Sequence, residues 1–307
     1  MVAAVAALPD SVLVRILTLL PLKERLRAAS VCRRWHRLAL DREVWRDVDV
    51  SPHRLSSRSL WHLLRRRFQP SMRSLRLRGT LRSALKPRLL SPALLAALGK
   101  RCPELHRLCL VETDLRFIPY GSIPASLTVL ELSCCEIPSA WFSAALPHLR
   151  HLVIRDVPAF SDRHLLNVSS WSRLKTLSVF GAYRLTDAGI CQAAPRLEEL
   201  ECLRLCQCGI GDSAAGSIGR YMERLRILEI GEDHALTEAG LNSLGSLRSL
   251  EMLSLNLYRT VSPSAVIALC RALPGLRSLQ LHGVRFEDGI MDEIQADFPF
   301  CSFSEAP

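Results

Sequence analysis

From residue 72 onward the chain repeats one spacing: an apolar residue, two variable positions, a leucine, one variable position and a further apolar anchor. It reads Met72/Leu75/Leu77, Leu105/Leu108/Leu110, Leu127/Leu130/Leu132, Leu149/Leu152/Ile154 and Leu174/Leu177/Val179. It continues as Leu200/Leu203/Leu205, Leu225/Leu228/Ile230, Leu250/Leu253/Leu255 and Leu276/Leu279/Leu281. In a short strand, alternate residues face the same side. The last two anchors of each unit therefore point into a shared core, and the first enters from the preceding turn. A unit this small cannot bury its apolar face alone, so neighbours must stack.

Successive units begin 33, 22, 22, 25, 26, 25, 25 and 26 residues apart. Apart from the first interval, these spacings fall in the range of leucine-rich repeats. The segments between anchors carry helix starts. Thr186-Asp187-Ala188-Gly189-Ile190 and Thr237-Glu238-Ala239-Gly240-Leu241 each open on a capping residue followed by an early acid. Ser91-Pro92 sets Pro at the first helical position behind a Ser cap. Cys135, Val157, Cys208 and Val284 each lie three residues past a last anchor, where such repeats favour Asn or Cys. The expected fold class is α/β. Residues 72–307 should form about nine repeats, with a curved parallel sheet inside and helices outside.

Charge is distributed unevenly. The chain is +10 overall, yet residues 1–110 hold 23 Lys/Arg against 7 Asp/Glu, and the remainder hold 17 against 23. Residues 54–88 carry eleven basic groups and no acid. Such a stretch suits a solvated basic face or an acidic partner. Trp61 and Phe68 are its only Trp, Tyr or Phe residues against eleven basic groups, so stacking on bases is poorly supported and nucleic acid is not expected. The apolar run Val2–Leu8 has no basic segment before it and stops at Pro9, unlike a secretory signal. No apolar run reaches the roughly 18 residues a membrane span needs. The eleven cysteines are scattered, as expected of free thiols in a reducing compartment, cytoplasm or nucleus. Cys202, Cys206 and Cys208, or His148 with His151, do not read as a metal site, because no CxxC pair accompanies them.

Residues 8–46 follow another rule. Asp10 stands where a helix cap would, and Leu13, Ile16, Leu17 and Leu20 recur at helical spacing until Pro21 breaks the run. Leu26 and Ala29 suit a second short helix, and Val31-Cys32-Arg33-Arg34-Trp35 opens a third. Read without relatives, this is a small three-helix cap over the first repeat. A module of about 40 residues buries little core, and apolar surface left over marks a partner site.

Leu8-Pro9, Ile16-Leu17, Leu20-Pro21, Val31-Cys32-Arg33-Arg34-Trp35 and Trp45 resemble the F-box pattern. Followed by repeats containing Leu185-Thr186-Asp187-Ala188-Gly189-Ile190, the chain resembles the F-box/leucine-rich-repeat class along nearly its whole length. The resemblance implies an F-box at 1–50, a linker or first helical segment at 51–71 and repeats at 72–307. It implies a substrate-recognition subunit of a Skp–cullin–F-box ubiquitin ligase, feeding proteasomal degradation. The F-box would dock on the Skp adaptor, and through it on the cullin scaffold and RING subunit. Carried over by position, the adaptor-facing residues are Leu8, Pro9, Ile16, Leu17, Leu20, Pro21, Val31, Cys32 and Trp35.

No Gly-rich phosphate loop, GxSxG, HExxH or HxE…PCxxC is present. Cys109 or Cys206 could be imagined as a nucleophile, but neither has an assigned base. The chain reads as a non-catalytic adaptor that needs no cofactor. Its protein substrate is expected on the strand face, at Arg76, Arg78, Arg107, Glu131, His151, Arg155, Phe180, Arg204 and Glu229. The excess of arginine there suggests an acidic or phosphorylated determinant.

Overall fold

The computed structural model describes residues 7–81, 88–144, 146–231, 236–257, 261–283, 286 and 288–304. The chain divides into two compact units, Met1–Glu136 and Ile137–Pro307. Val284, part of the basic stretch 54–88 and most of the run Val2–Leu8 lie outside the described residues.

The first unit opens with three short helices, α1 (Asp10–Leu19), α2 (Leu22–Ala28) and α3 (Arg33–Leu38). Then follow β1 (Asp47–Asp49), α4 (Ser57–Arg66), β2 (Ser74–Arg78), α5 (Pro92–Arg101), β3 (Arg107–Val111), a 3-10 turn at Tyr120–Ser122 and β4 (Val129–Ser133). The four strands pair in parallel and in chain order. β1 was not foreseen. It lies inside residues 1–50, ahead of the segment 51–71, where α4 forms, and its Val48 is buried beside Leu75 of β2.

The second unit alternates strand and helix. It runs β5 (His151–Arg155), α6 (Asp162–Ser169), β6 (Thr176–Phe180), α7 (Asp187–Ala193), β7 (Cys202–Cys206), α8 (Asp212–Tyr221) and β8 (Ile227–Gly231). It continues with α9 (Glu238–Leu244), β9 (Met252–Asn256), α10 (Pro263–Ala272), β10 (Ser278–His282), α11 (Asp288–Asp297) and β11 (Cys301–Ser304). All seven strands are parallel neighbours in chain order. Every expected anchor pair lies on a strand with its leucines buried, as Leu203 and Leu205 are on β7. This is the α/β repeat architecture that the spacing predicts.

Two devices lock repeats together. The first joins helix starts. Asp162, Asp187, Asp212 and Glu238, each the first residue of its helix, accept the backbone N–H of Thr186, Gly211, Thr237 and Ser262 at 2.6–2.8 Å. Each donor is the N-cap residue of the following helix. The early acid therefore serves the next repeat as well as its own helix dipole. Thr186 does not cap its own helix through its side chain; its hydroxyl donates to Asp162. A Cβ at Gly189 or Gly240 would collide with the Asp162 or Asp212 carboxylate, which is why a glycine sits in the first turn of α7 and α9.

The second device is the thiol three residues past a strand anchor. The Cys135 Sγ–H reaches the carbonyls of Leu110 and Ser133 at 3.3 Å, and the buried Cys208 thiol reaches Val179 and Cys206. Each thiol thus meets a carbonyl of the previous strand and one of its own. The chain leaves these strands through left-handed residues: Glu112, Cys134, Asp156, Gly181 and Gln207 directly follow β3, β4, β5, β6 and β7.

Candidate docking surfaces

The N-terminal helices form around Leu13, Leu17, Leu22, Leu38, Val44 and Trp45, all buried. The Trp45 indole N–H donates to the Ala39 carbonyl at 2.8 Å, so its polar atom is satisfied inside the core. Asp10 is not the N-cap of α1; Pro9 is, and Asp10 is the first helical residue. Its carboxylate binds Arg34 at 2.7 Å and Arg37 at 2.6 Å, tying α1 to α3. Hydrogen bonding and charge from these two arginines hold the Asp10 carboxyl below its usual range.

Arg25 is the joint of the module, a role that no local sequence pattern signals. From α2 its guanidinium donates to the carbonyls of Thr18 at 2.7 Å and Leu20 at 2.7 Å, the frayed end of α1. It also donates to Val44 at 2.6 Å and Asp47 at 3.0 Å, at the entrance to β1. Four carbonyls that lack helix or ladder partners converge on one side chain.

Of the expected adaptor-facing residues, Pro9, Ile16, Pro21, Val31 and Cys32 are exposed, while Leu8, Leu20 and Trp35 are half-buried. Cys32 also caps α3 by accepting the Trp35 N–H. Leu17 is corrected: at 1% exposed it belongs to the core and cannot face a partner. In its place the structure presents Val12 and Leu19, the latter 80% exposed. Val12, Ile16 and Leu19 follow at i, i+4 and i+7, a second apolar stripe beside the buried Leu13/Leu17 stripe. The signal was in the sequence: α1 is apolar around more than half its circumference, too much for one core face.

The strand faces carry the expected substrate residues. In the first unit Arg76, Arg78 and Arg107 are exposed. Arg78 forms a two-pronged pair with Glu112 at 3.0 and 2.8 Å, and Arg107 grips Glu131 at 2.6 Å. In the second unit Arg204 pairs with Glu229 at 3.1 Å, and the Cys206 thiol points at the same carboxylate. The His151 ring bonds the Thr176 hydroxyl at 2.9 Å, and Arg155 lies over the Phe180 ring at 4.7 Å. The strip is therefore less basic than a count of arginines implies. Arg78, Arg107 and Arg204 are matched by acids of the adjacent repeat or turn. Among the described residues, Arg76 and Arg155 have no carboxylate within ion-pair distance.

Register adds a row across the strands whose last three members are apolar. Thr176, Cys202, Ile227 and Met252 stand side by side across β6 to β9, with Met252 39% exposed. Burial dominates the strand thiols. It pushes Cys109 up to about 11, helped by Glu131, so this thiol stays protonated near neutrality, the opposite of what a nucleophile requires. Among the described residues no group of three or more His, Cys, Asp and Glu side chains comes together as a metal site. No described helix is long and apolar enough to cross a membrane.

Residues 5–51 match the F-box-like family model. The chain is 38% identical over 295 residues to F-box/LRR-repeat protein 12 of Homo sapiens, spanning 93% of this chain and 90% of that protein. It is 36% identical over 290 residues to F-box/LRR-repeat protein 12 of Mus musculus, spanning 91% and 89%. Among solved structures, a chain of the Rad7 and Elc1 complex in yeast aligns with a TM-score of 0.57 at 22% identity, over 81% of this chain and 65% of that one. An internalin from Listeria monocytogenes aligns with a TM-score of 0.51 at 18% identity, over 87% and 69%. Those structural likenesses concern the fold alone; the curated relatives, matched almost end to end, concern descent. The chain belongs to the F-box/LRR-repeat protein family.

Proposed function

We propose that this protein is the substrate-recognition subunit of a Skp–cullin–F-box-type ubiquitin ligase, acting in the cytoplasm or nucleus. The observation that carries the reading is the outward stripe Val12/Ile16/Leu19, flanked by Pro9, Pro21 and Val31, within the segment that matches the F-box-like family. Three outward apolar side chains on one short helix, with Leu19 80% exposed, form the kind of contiguous patch that marks a partner site. The Skp adaptor is that partner, and the cullin and RING subunit follow through it. On this reading the chain performs no bond-making step. It contributes proximity, holding a substrate lysine near ubiquitin carried elsewhere in the assembly, for proteasomal degradation of the substrate.

The test is Leu19→Asp with Pro21→Ala in the full chain. A carboxylate trapped unpaired in a desolvated contact costs roughly 3–5 kcal/mol, against a total of about 8 kcal/mol for a micromolar complex. Adaptor co-purification should vanish while the thermal transition of the repeats stays in place. Undiminished co-purification sinks the assignment.

The substrate determinant is the finer part of this reading. Each unit's strand face is a binding surface in its own right, and an acidic or phosphorylated element meets the arginine there that has no carboxylate partner, Arg76 in the first unit or Arg155 in the second. Of Arg76→Ala and Arg155→Ala, made separately, the change on the engaged face should weaken a substrate identified by mass spectrometry under proteasome block. About 1 kcal/mol per exposed charged contact corresponds to roughly fivefold. Adaptor binding should survive both changes. If substrate binding ignores both changes, raised salt and phosphatase alike, the electrostatic part is wrong and the apolar row of Cys202, Ile227 and Met252 takes its place.

A further inference from the structure

The early part of the basic stretch, Arg54 to Arg67, has no assigned role in adaptor or strand-face binding, yet the first unit sets it beside an apolar groove. Leu22, Lys23 and Leu26 of α2 form one wall, and His53, Leu55, Arg58, Ser59, His62 and Leu63 form the other; the space between is about 480 Å³. Leu22, Leu26, Leu55 and Leu63 supply the apolar lining, and Leu26 is 36% exposed although it lies on a short helix with core neighbours. Lys23, Arg58 and the two histidines stand at the rim, and no acidic side chain lines the groove. The rim charge extends along α4, where Arg58, His62, Arg65 and Arg66 are all exposed. Among the described residues none of Lys23, Arg58, Arg65 and Arg66 has an ion pair, in contrast to the matched arginines of the strand faces.

We infer that this groove docks an acidic, amphipathic segment of a protein partner, with leucine-like side chains on the floor and carboxylates on Lys23 and Arg58. Charge complementarity fixes the sign: unneutralised cations surround an apolar slot, so an apolar segment without acids leaves them unpaired, and a purely acidic one leaves the slot wet. The volume suits two or three side chains of a helix laid into a groove. No Phe, Tyr or Trp lines the space, so it lacks the stacking platform of a single-stranded nucleic acid site. None of its lining residues belongs to the Val12/Ile16/Leu19 stripe or to the residues flanking it, so an occupant can sit there while the adaptor is bound.

The experiment uses the full chain, alone and co-purified with the Skp adaptor. The probes are a fluorescent helical peptide with Leu on one face and Glu on the other, and its twin with Gln in place of Glu. Anisotropy should show the acidic peptide binding at least tenfold more tightly than the twin, and weakening as salt rises. Lys23→Glu with Arg58→Glu should abolish that preference, and Leu26→Asp should weaken both peptides at least tenfold. Unchanged thermal transitions of these surface variants show that folding is intact. Equal binding of the two peptides, indifference to the variants, or no binding at all overturns the inference. So does equal competition by an oligothymidine, which would make the groove a polyanion patch. Displacement of the peptide by the adaptor also overturns it, because the groove would then be part of the adaptor contact. Loss of adaptor binding by Leu19→Asp is read in a separate assay, so the two proposals fail independently.

Discussion

Asp212→Ala removes the best-connected rung of the ladder between helix starts. Its carboxylate accepts the Thr237 N–H at 2.7 Å, the Thr237 hydroxyl at 2.5 Å and the Gly240 N–H at 3.1 Å. All three donors belong to the start of α9, where backbone N–H groups have no partner within the helix. A hydrogen bond to an ionised group contributes about 1.5–3 kcal/mol. Two of these three are exposed to solvent, so water recovers part of that, and a net loss of about 2–3 kcal/mol is expected. For a unit spanning Ile137–Pro307, each kcal/mol lowers the midpoint by roughly 2–4 °C, so Asp212→Ala should melt about 5–10 °C below the parent. Asp187→Ala, where the structure shows a single bond to the Gly211 N–H, should cost less than half as much. Calorimetry of the full chain reads both. A shift under about 1 °C for Asp212→Ala, or an equal shift for the two, would falsify the claim that these acids join neighbouring repeats.

The remaining predictions concern buried groups. His164 is 1% exposed, stacked on Phe160, with one ring nitrogen 3.0 Å from the Ser161 hydroxyl and the other 3.0 Å from the Pro138 carbonyl. Burial lowers its pKa below 6.5. The unfolded chain therefore binds the proton first, and stability held above about pH 6.5 is lost as pH falls through that value. Urea midpoints should drop between pH 7.5 and 5.5 in the parent, and His164→Gln should flatten that fall; a parallel fall in both refutes the assignment. Burial pushes Cys102 and Cys109 up to about 11 and Cys135 to about 12. Native alkylation at pH 7.5 followed by peptide mapping should modify the exposed Cys32 well before these three. Early labelling of Cys135 would contradict its hydrogen-bonded place between strands.

The solenoid was readable because its signal is cooperative. One Leu-x-Leu means little, but nine in register leave few alternatives. β1 escaped because Val48 supplies a single buried side chain on a strand three residues long, with no paired anchor to advertise it. Asp187 and Glu238 were legible as helix-start acids, yet their service to the next repeat was not, since a partner about 24 residues away leaves no local periodicity. Leu17 and Leu19 show the limit on the site itself. Both are leucines on one short helix, and only packing against α2 and α3 decides that the first is core and the second is surface. The arginines of the strand faces were counted correctly, but Glu112 stood one residue past the strand and its neutralising effect on Arg78 was hidden until the chain turned.

Under the proposed function, Arg25 has a bearing on which lysines of a client would be modified. A recognition subunit behaves as a lever, and a lever with a loose fulcrum would let any lysine of its cargo visit the transfer site in turn. Here the fulcrum is stiff on the side of the helical module: one guanidinium grips the end of α1 and the doorstep of β1 together. An adaptor that orients α1 thereby also orients the first strands of the ladder. Choice among lysines then falls to the cargo, whose own tails and loops must supply the reach that this joint denies.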